Sequence, residues 1–161
     1  MIFTWEYDSP LGQLILAEEN GALIGLWMQG QKYFPRDLEE CRVLTPTLAL
    51  AAGWLDRYFA GERPEIAALI LNPKGSEFRR QVWDILCRIP YGSTTTYAAI
   101  AAEIAQRRGL PRFSAQAVGN AVAHNPISII IPCHRVVGSH GQLTGYAGGL
   151  ERKKWLLEWE Q

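Results

Sequence analysis

Apolar and polar positions alternate through the first thirty residues, and turn residues interrupt them at regular intervals. "FTWEYDS", "GQLILAEE" and "ALIGLWM" read as three strands, separated first by Ser9-Pro10-Leu11-Gly12 and then by Asn20-Gly21. Asn-Gly between apolar runs is the strongest short hairpin signal, because both residues tolerate the positive φ such a turn needs. From Leu48 to Phe59 the spacing becomes that of a helix, and "AGERPE" stops it. Short helices follow. Phe78, Val82, Ile85, Leu86 and Ile89 mark one that ends before Pro90-Tyr91-Gly92. The hydroxyls of "STTT" precede a second stripe of Tyr97, Ile100, Ala101 and Ile104. Ser114 is placed to cap a third helix, "AQAVGNAVAH", which Asn125-Pro126 terminates. "ISIII" reads as a buried strand, "GSHGQLTGYAGG" as a glycine-rich loop, and "LERKKWLLEWE" as a closing helix with Leu150, Trp155, Leu156 and Trp159 on its apolar side.

These elements predict an α+β fold in two lobes. Residues 1–72 form a small antiparallel sheet with a helix, a structural lobe, and "LILNPKGS" joins it to a mainly helical lobe over residues 73–161. Two short helices separated by the basic loop "QRRGLPRF" resemble a helix-turn-helix. In the second of them Ala117, Val118, Ala121 and Val122 form the inward stripe, which leaves Gln116, Gly119, Asn120 and Ala123 outside. Small uncharged residues on an outer face suit either close packing inside the protein or close approach to a groove in DNA, with Arg107, Arg108, Arg112 and Arg135 available for phosphates.

Composition narrows the class. A chain of 161 residues that is 48% hydrophobic can bury a core, and its longest apolar stretch, Leu48 to Leu55, is far short of the ~20 residues that span a bilayer. No signal peptide is read at the N-terminus, so a cytoplasmic protein without membrane contact is expected. The net charge of +0 conceals a division: residues 1–72 hold five Lys/Arg against ten Asp/Glu, and residues 73–161 hold eleven against six. That asymmetry points to a polyanion partner for the second lobe, although solvated helices alone could produce it.

The three cysteines, Cys41, Cys87 and Cys133, show no CxxC spacing, which argues against a disulfide framework and a zinc site; no cofactor and no metal are expected. Cys87 lies on an apolar helical stripe, and Cys41 sits in a charged turn. Cys133 differs, because "IIIPCHRVVG" places it directly before His134 and Arg135. A cysteine reacts as thiolate, and ionising a thiol of pKa ~8.5 at neutral pH costs about 2 kcal/mol unless imidazole, a cation or a helix N-terminus helps. Consecutive side chains point apart, so a proton path from Cys133 to His134 needs a bridging water. His124 and His140 have no evident partner and are expected to face solvent. By itself a Cys-His dipeptide is weak evidence, and a structural or incidental role is the commoner reading of it.

The surrounding motifs add to this. "SPLGQLILA", "RYFAGERPE", "SEFRRQVWDIL", "IPYGSTTTYAAIA", "AVGNAVAHNP", Pro132 to Val136 and "TGYAGGLERKKWLLEWE" closely resemble the O6-alkylguanine-DNA alkyltransferases of the stand-alone bacterial type, over nearly the whole chain. The resemblance implies irreversible, stoichiometric repair of double-stranded DNA by a monomer. The alkyl group of O6-alkylguanine, with O4-alkylthymine as a second candidate substrate, passes to Cys133 after the base is flipped. It makes Cys133 the acceptor, His134 the base acting through water, Glu160 the group that holds His134, and Asn125 the brace of the active-site turn. Tyr146 matches the tyrosine that bonds the O6 edge, Val122 packs on the base, and backbone groups at Cys133, Val136 and Ala147 read its other edges. Tyr97 matches the tyrosine that crowds the target's 3′ phosphate. Thr95, Tyr97, Gln116, Ala117, Asn120 and Ala123 become DNA-facing positions, with Arg107, Arg112 and Arg135 on phosphates, although Arg135 also looks like a structural tie. Gln116 departs from the pattern, since the family usually has arginine there, filling the gap left by the flipped nucleotide. A binder that flips and flags the lesion, or a Cys-His hydrolase, is the alternative; the first would lack the acceptor cysteine and the second would need an oxyanion hole.

Overall fold

The computed structural model describes residues 1–38 and 41–161. Strands β1 (Ile2–Ser9), β2 (Gly12–Glu19) and β3 (Ala22–Met28) form the antiparallel meander that the alternation predicts, with Ile2 opposite Glu19 and Ser9 opposite Gly12. Asn20 and Gly21 both take positive φ, 53° and 78°, as a hairpin of this hand requires. A fourth strand, β4 (Cys41–Arg42), runs parallel to β1 and completes the order β3-β2-β1-β4. Cys41 therefore lies in a strand and not in the expected turn; Glu39 and Glu40, which precede it, lie outside the described residues.

Helix α1 (Pro46–Phe59) is capped by Thr45, whose side chain accepts the Leu48 amide, and Pro46 fits the first turn because its missing N–H would be unpaired there. Its buried stripe of Leu48, Ala51, Trp54, Leu55 and Tyr58 meets the sheet. A second cluster, Ala17, Ile24 and Trp27, packs with Ile2, Ile15 and Phe34. The outer edge of β3 is not left open: Leu23 bridges to Leu71 and Leu26 to Ile127, the latter through Leu26 N to Pro126 O and Ser128 N to Leu26 O. Pairing of this kind removes an edge that would otherwise invite aggregation. It also places residues 126–130 in the first compact unit, with residues 1–74.

The second unit holds residues 75–125 and 131–161. Its helices are α2 (Glu77–Leu86), α3 (Tyr97–Arg108), α4 (Ala115–Ala123) and α5 (Leu150–Trp159). Ser76, Thr96 and Ser114 cap the first three, their hydroxyls accepting the amides of Arg79, Ala99 and Ala117. Gly109, in the left-handed region at φ 66°, ends α3. The indole of Trp83 on α2 donates to the Ala121 carbonyl on α4 at 2.8 Å. Two short strands, β5 (Thr95–Thr96) and β6 (Val136–Val137), pair in parallel.

Two expectations are corrected. "ISIII" is not a strand: only Ile127 bridges, residues 128–130 turn, and Ile129 takes φ 69°. A β-branched residue in that region is strained by about 1–3 kcal/mol, and it is held there with every isoleucine of the run buried. Apolar periodicity cannot distinguish a buried strand from a buried turn when all positions face inward. On α5 the buried positions are Lys153 and Leu156, whereas Leu150 and Trp159 are exposed and Trp155 stacks on Trp159 at 5.2 Å. The predicted apolar side is mostly the outer one.

Candidate active site

Cys133 is set by a sequence of tight backbone turns. Pro132 adopts φ −81° and ψ 64°, and the Cys133 amide returns to the Ile131 carbonyl at 2.8 Å, the geometry of an inverse γ-turn. A single 3-10 turn, Cys133–Arg135, follows, and Val136 N closes it on Cys133 O. The Asn125 amide donates to the same Ile131 carbonyl at 2.8 Å, so the turn is fixed by a side chain as well as by the backbone. The sulfur-bearing residue is left 4% exposed.

Behind it lies a closed ionic network. His134 Nε2 is 2.8 Å from Glu160 Oε2; Arg135 donates through Nε to Oε1 at 2.8 Å and through its terminal nitrogen to Oε2 at 3.1 Å. A third guanidinium nitrogen donates to the Ile89 carbonyl at 2.7 Å, and the group stacks over the Tyr91 ring at 5.6 Å. Because a carboxylate accepts only, Nε2 of the neutral imidazole carries the hydrogen and Nδ1 is left as its lone-pair nitrogen. Nδ1 is buried with no protein partner among the described residues. Burial pushes the His134 pKa down, against the pull of Glu160, and so keeps the ring a neutral base. Glu160 is buried, not frayed, although it is the second-to-last residue.

The Cys133 thiol is withdrawn from solvent. Burial raises its pKa and outweighs the opposing influence of Asn125, Lys153, the backbone and Tyr146. The sulfur is desolvated before any substrate arrives, which disfavours the anion. Lys153 is the residue that sequence reasoning missed. It has no exposed surface, and its Nζ donates to the carbonyls of Thr144 and Gly145 at 2.7 and 3.3 Å. The available signal was spacing, since Lys153, Leu156 and Glu160 share one helical face.

A groove of about 540 Å³ opens along α3, α4 and the 138–145 loop. Tyr97, Gln116, Gly119, Val122 and Ala123 line it, as does Thr144, which had no assigned role. Tyr97 donates its hydroxyl to the Thr144 carbonyl at 3.2 Å. Asn120 is exposed beside the groove lining, Ala117 is half-buried and not part of the inward stripe, and Val136 is fully buried. Tyr146 and Ala147 are half-buried in the loop that precedes α5. Thr95 lies in β5, opposite Val136.

Of the arginines expected on phosphates, Arg135 is corrected: it is 7% exposed and all its nitrogens named above are engaged inside the protein. Arg108 lies over the rings of Phe78 and Phe113 and donates to Gln81. Arg107 pairs with Glu103 at 3.2 Å, and Arg112 is exposed in the α3–α4 connection. His140 is exposed as expected, whereas His124 is half-buried with Nδ1 2.8 Å from the Asn120 carbonyl.

Residues 77–161 match the family described as 6-O-methylguanine DNA methyltransferase, DNA binding domain, and residues 4–73 match its ribonuclease-like domain. The chain belongs to the 6-O-methylguanine DNA methyltransferase family. A methylated-DNA–protein-cysteine methyltransferase of Mycobacterium leprae is 47% identical over 161 residues, covering 100% of this chain and 93% of the relative. Among solved structures, the O6-methylguanine methyltransferase of Mycobacterium tuberculosis superposes with a TM-score of 0.83 at 42% identity, over 99% of this chain and 93% of that one. A structure of the same organism's protein in complex with DNA gives 0.82 at 40% identity, over 98% and 92%. Among the described residues no helix of this methyltransferase-family chain is long and apolar enough to cross a membrane.

Proposed function

We propose that this protein repairs O6-alkylguanine in double-stranded DNA by moving the alkyl group onto the sulfur of Cys133. The observation that carries the reading is a buried thiol followed directly by a neutral imidazole whose far nitrogen is fixed by a buried carboxylate. His134 Nδ1, acting through one water, takes the thiol proton, and Glu160 stabilises the imidazolium that results. The thiolate attacks the alkyl carbon in line; the S–C bond forms as the C–O6 bond breaks, and the departing guanine takes up a proton as it leaves. Tyr146 donates to O6 and so spreads the charge of the leaving group. The thioether has no hydrolysable bond, so each molecule acts once.

Extrusion of the base costs a few kcal/mol, less for a damaged and weakly paired one. The 540 Å³ groove is lined by Val122, Tyr97 and Gln116 but not by Cys133, and it would serve as the approach for the base, with Val122 as an apolar wall, Tyr97 near the target phosphate and Gln116 facing the duplex. Residues 73–161 would form the DNA-binding and acceptor region, with α3 and α4 as a helix-turn-helix, and residues 1–72 the structural lobe. The small outer residues of α4 let the helix approach the duplex, and Arg112 meets phosphate. Three free cysteines fit the reducing cytoplasm, and the protein acts as a monomer.

The test is mass spectrometry of the protein after incubation with a duplex containing O6-methylguanine. One methyl group in place of the thiol proton, on the Cys133 peptide, is expected; Cys133→Ser should gain none. Binding without a mass change would leave a lesion binder, and repeated turnover would leave a hydrolase.

A further inference from the structure

Lys153 is fully buried on α5, and among the described residues no carboxylate pairs with it. A buried ammonium without a counter-ion is costly, and backbone carbonyls alone compensate it only in part. Its Nζ holds the carbonyls of Thr144 and Gly145, and it lies 5.9 Å from the Tyr97 ring centre. The Thr144 carbonyl also accepts from the Tyr97 hydroxyl, so one backbone oxygen joins α5, α3 and the loop that leads to Tyr146. The other ionisable groups whose fields meet here are Cys133 and His134 on the 3-10 turn, with Glu160 and Arg135 bound behind His134 and Tyr146 beside the sulfur. Glu160 is already divided between His134 and Arg135. The charge that Lys153 lacks in the resting protein is the one that Cys133 acquires on losing its proton.

We propose that Lys153 is a positioning residue for alkyl transfer: its ammonium balances the Cys133 thiolate, and its grip on Thr144 and Gly145 keeps the Tyr146 loop in place. This rests on Cys133 being the acceptor. The arrangement makes ionisation conditional, since the thiolate forms where an unpaired cation is waiting for it. Burial lowers the Lys153 pKa to about 8, and the field of Cys133 opposes that fall.

The experiment measures single-turnover methyl transfer from methylated duplex by the full-length protein, from about pH 6 to about pH 10, alongside melting temperature. Lys153→Met should slow transfer at neutral pH by about tenfold or more, the loss that follows from raising the thiol pKa by one unit, and should displace the alkaline rise to higher pH. Lys153→Arg keeps the charge and should restore most of the rate. Lys153→Gln retains a donor for the carbonyls without the charge and should show the displaced profile of the Met variant; it also serves if Lys153→Met does not fold. A folded Met or Gln variant with the parent's pH profile would overturn the proposal, because a purely structural lysine does not move a thiol titration. If the parent itself takes no methyl onto Cys133, the acceptor assignment fails first, and that outcome is seen before any variant is compared.

Discussion

His134 Nε2 stands 2.8 Å from Oε2 of Glu160, a residue 26 positions further along the chain, and neither side chain reaches solvent. This bond orients the imidazole that follows Cys133 in the chain and fixes which of its nitrogens can accept a proton. The same carboxylate neutralises Arg135, so the orientation of the base and the stability of the unit depend on a single side chain.

Removing that carboxylate leaves a buried guanidinium without its counter-ion and a buried imidazole without its Nε2 partner. Glu160→Ala is expected to destabilise the protein by about 3–5 kcal/mol, as loss of one member of a buried ion pair does, read from the shift in urea midpoint at unchanged m-value. A loss below about 1 kcal/mol, the size of an exposed pair, would show that the network carries little.

The lowered pKa of His134 makes stability pH-dependent. The unfolded chain takes up a proton near pH 6.5 that the buried ring refuses until a lower pH is reached. The contribution is therefore fully present above about pH 6.5 and is lost as pH falls from there toward the native pKa. Urea midpoints should fall between about pH 7.5 and about pH 5.5, and His134→Gln should flatten that part of the curve. An unchanged slope in the variant would assign the effect to other groups.

Gln116 lines the groove with an uncharged side chain where arginine is usual in the resembling family. Gln116→Arg is expected to raise duplex affinity and the repair rate of methylated duplex, with an increase of about one in the slope of log affinity against log salt if the new charge meets a phosphate. Equal rates and affinities in the two proteins would show that glutamine fills this position equally well.

The structure separates arginines that the sequence grouped together. Arg112→Ala should weaken binding to unrelated DNA sequences by a similar factor and lower the salt slope by about one. Arg107→Ala should do less, because Glu103 already offsets that charge. Arg135→Ala should instead lower stability, since its guanidinium serves Glu160 and Ile89. Fluorescence anisotropy at several salt concentrations, combined with thermal melts, distinguishes these outcomes.

Local signals are legible in the sequence where they act over a few residues. Alternation and Asn20-Gly21 specify the hairpins, and the hydroxyls of Thr96 and Ser114 specify where α3 and α4 begin, because each depends on neighbours within one turn. The motif around Cys133 and its resemblance to a known family indicated the chemistry. The turn at Ile129 was not legible, because a run that is buried at every position has no period to read.

The sequence by itself determined the strands of the meander and the helix starts, since each is encoded in adjacent residues, and it singled out Cys133 as the candidate acceptor. Only the tertiary structure decided which charges and polar groups are buried: Arg135 turned inward to Glu160, Lys153 without a carboxylate, and the sulfur of Cys133 withdrawn from solvent. The physical reason is that desolvation depends on what surrounds a group in three dimensions, and the groups that meet at Cys133 are distributed from Tyr97 to Glu160 along the chain.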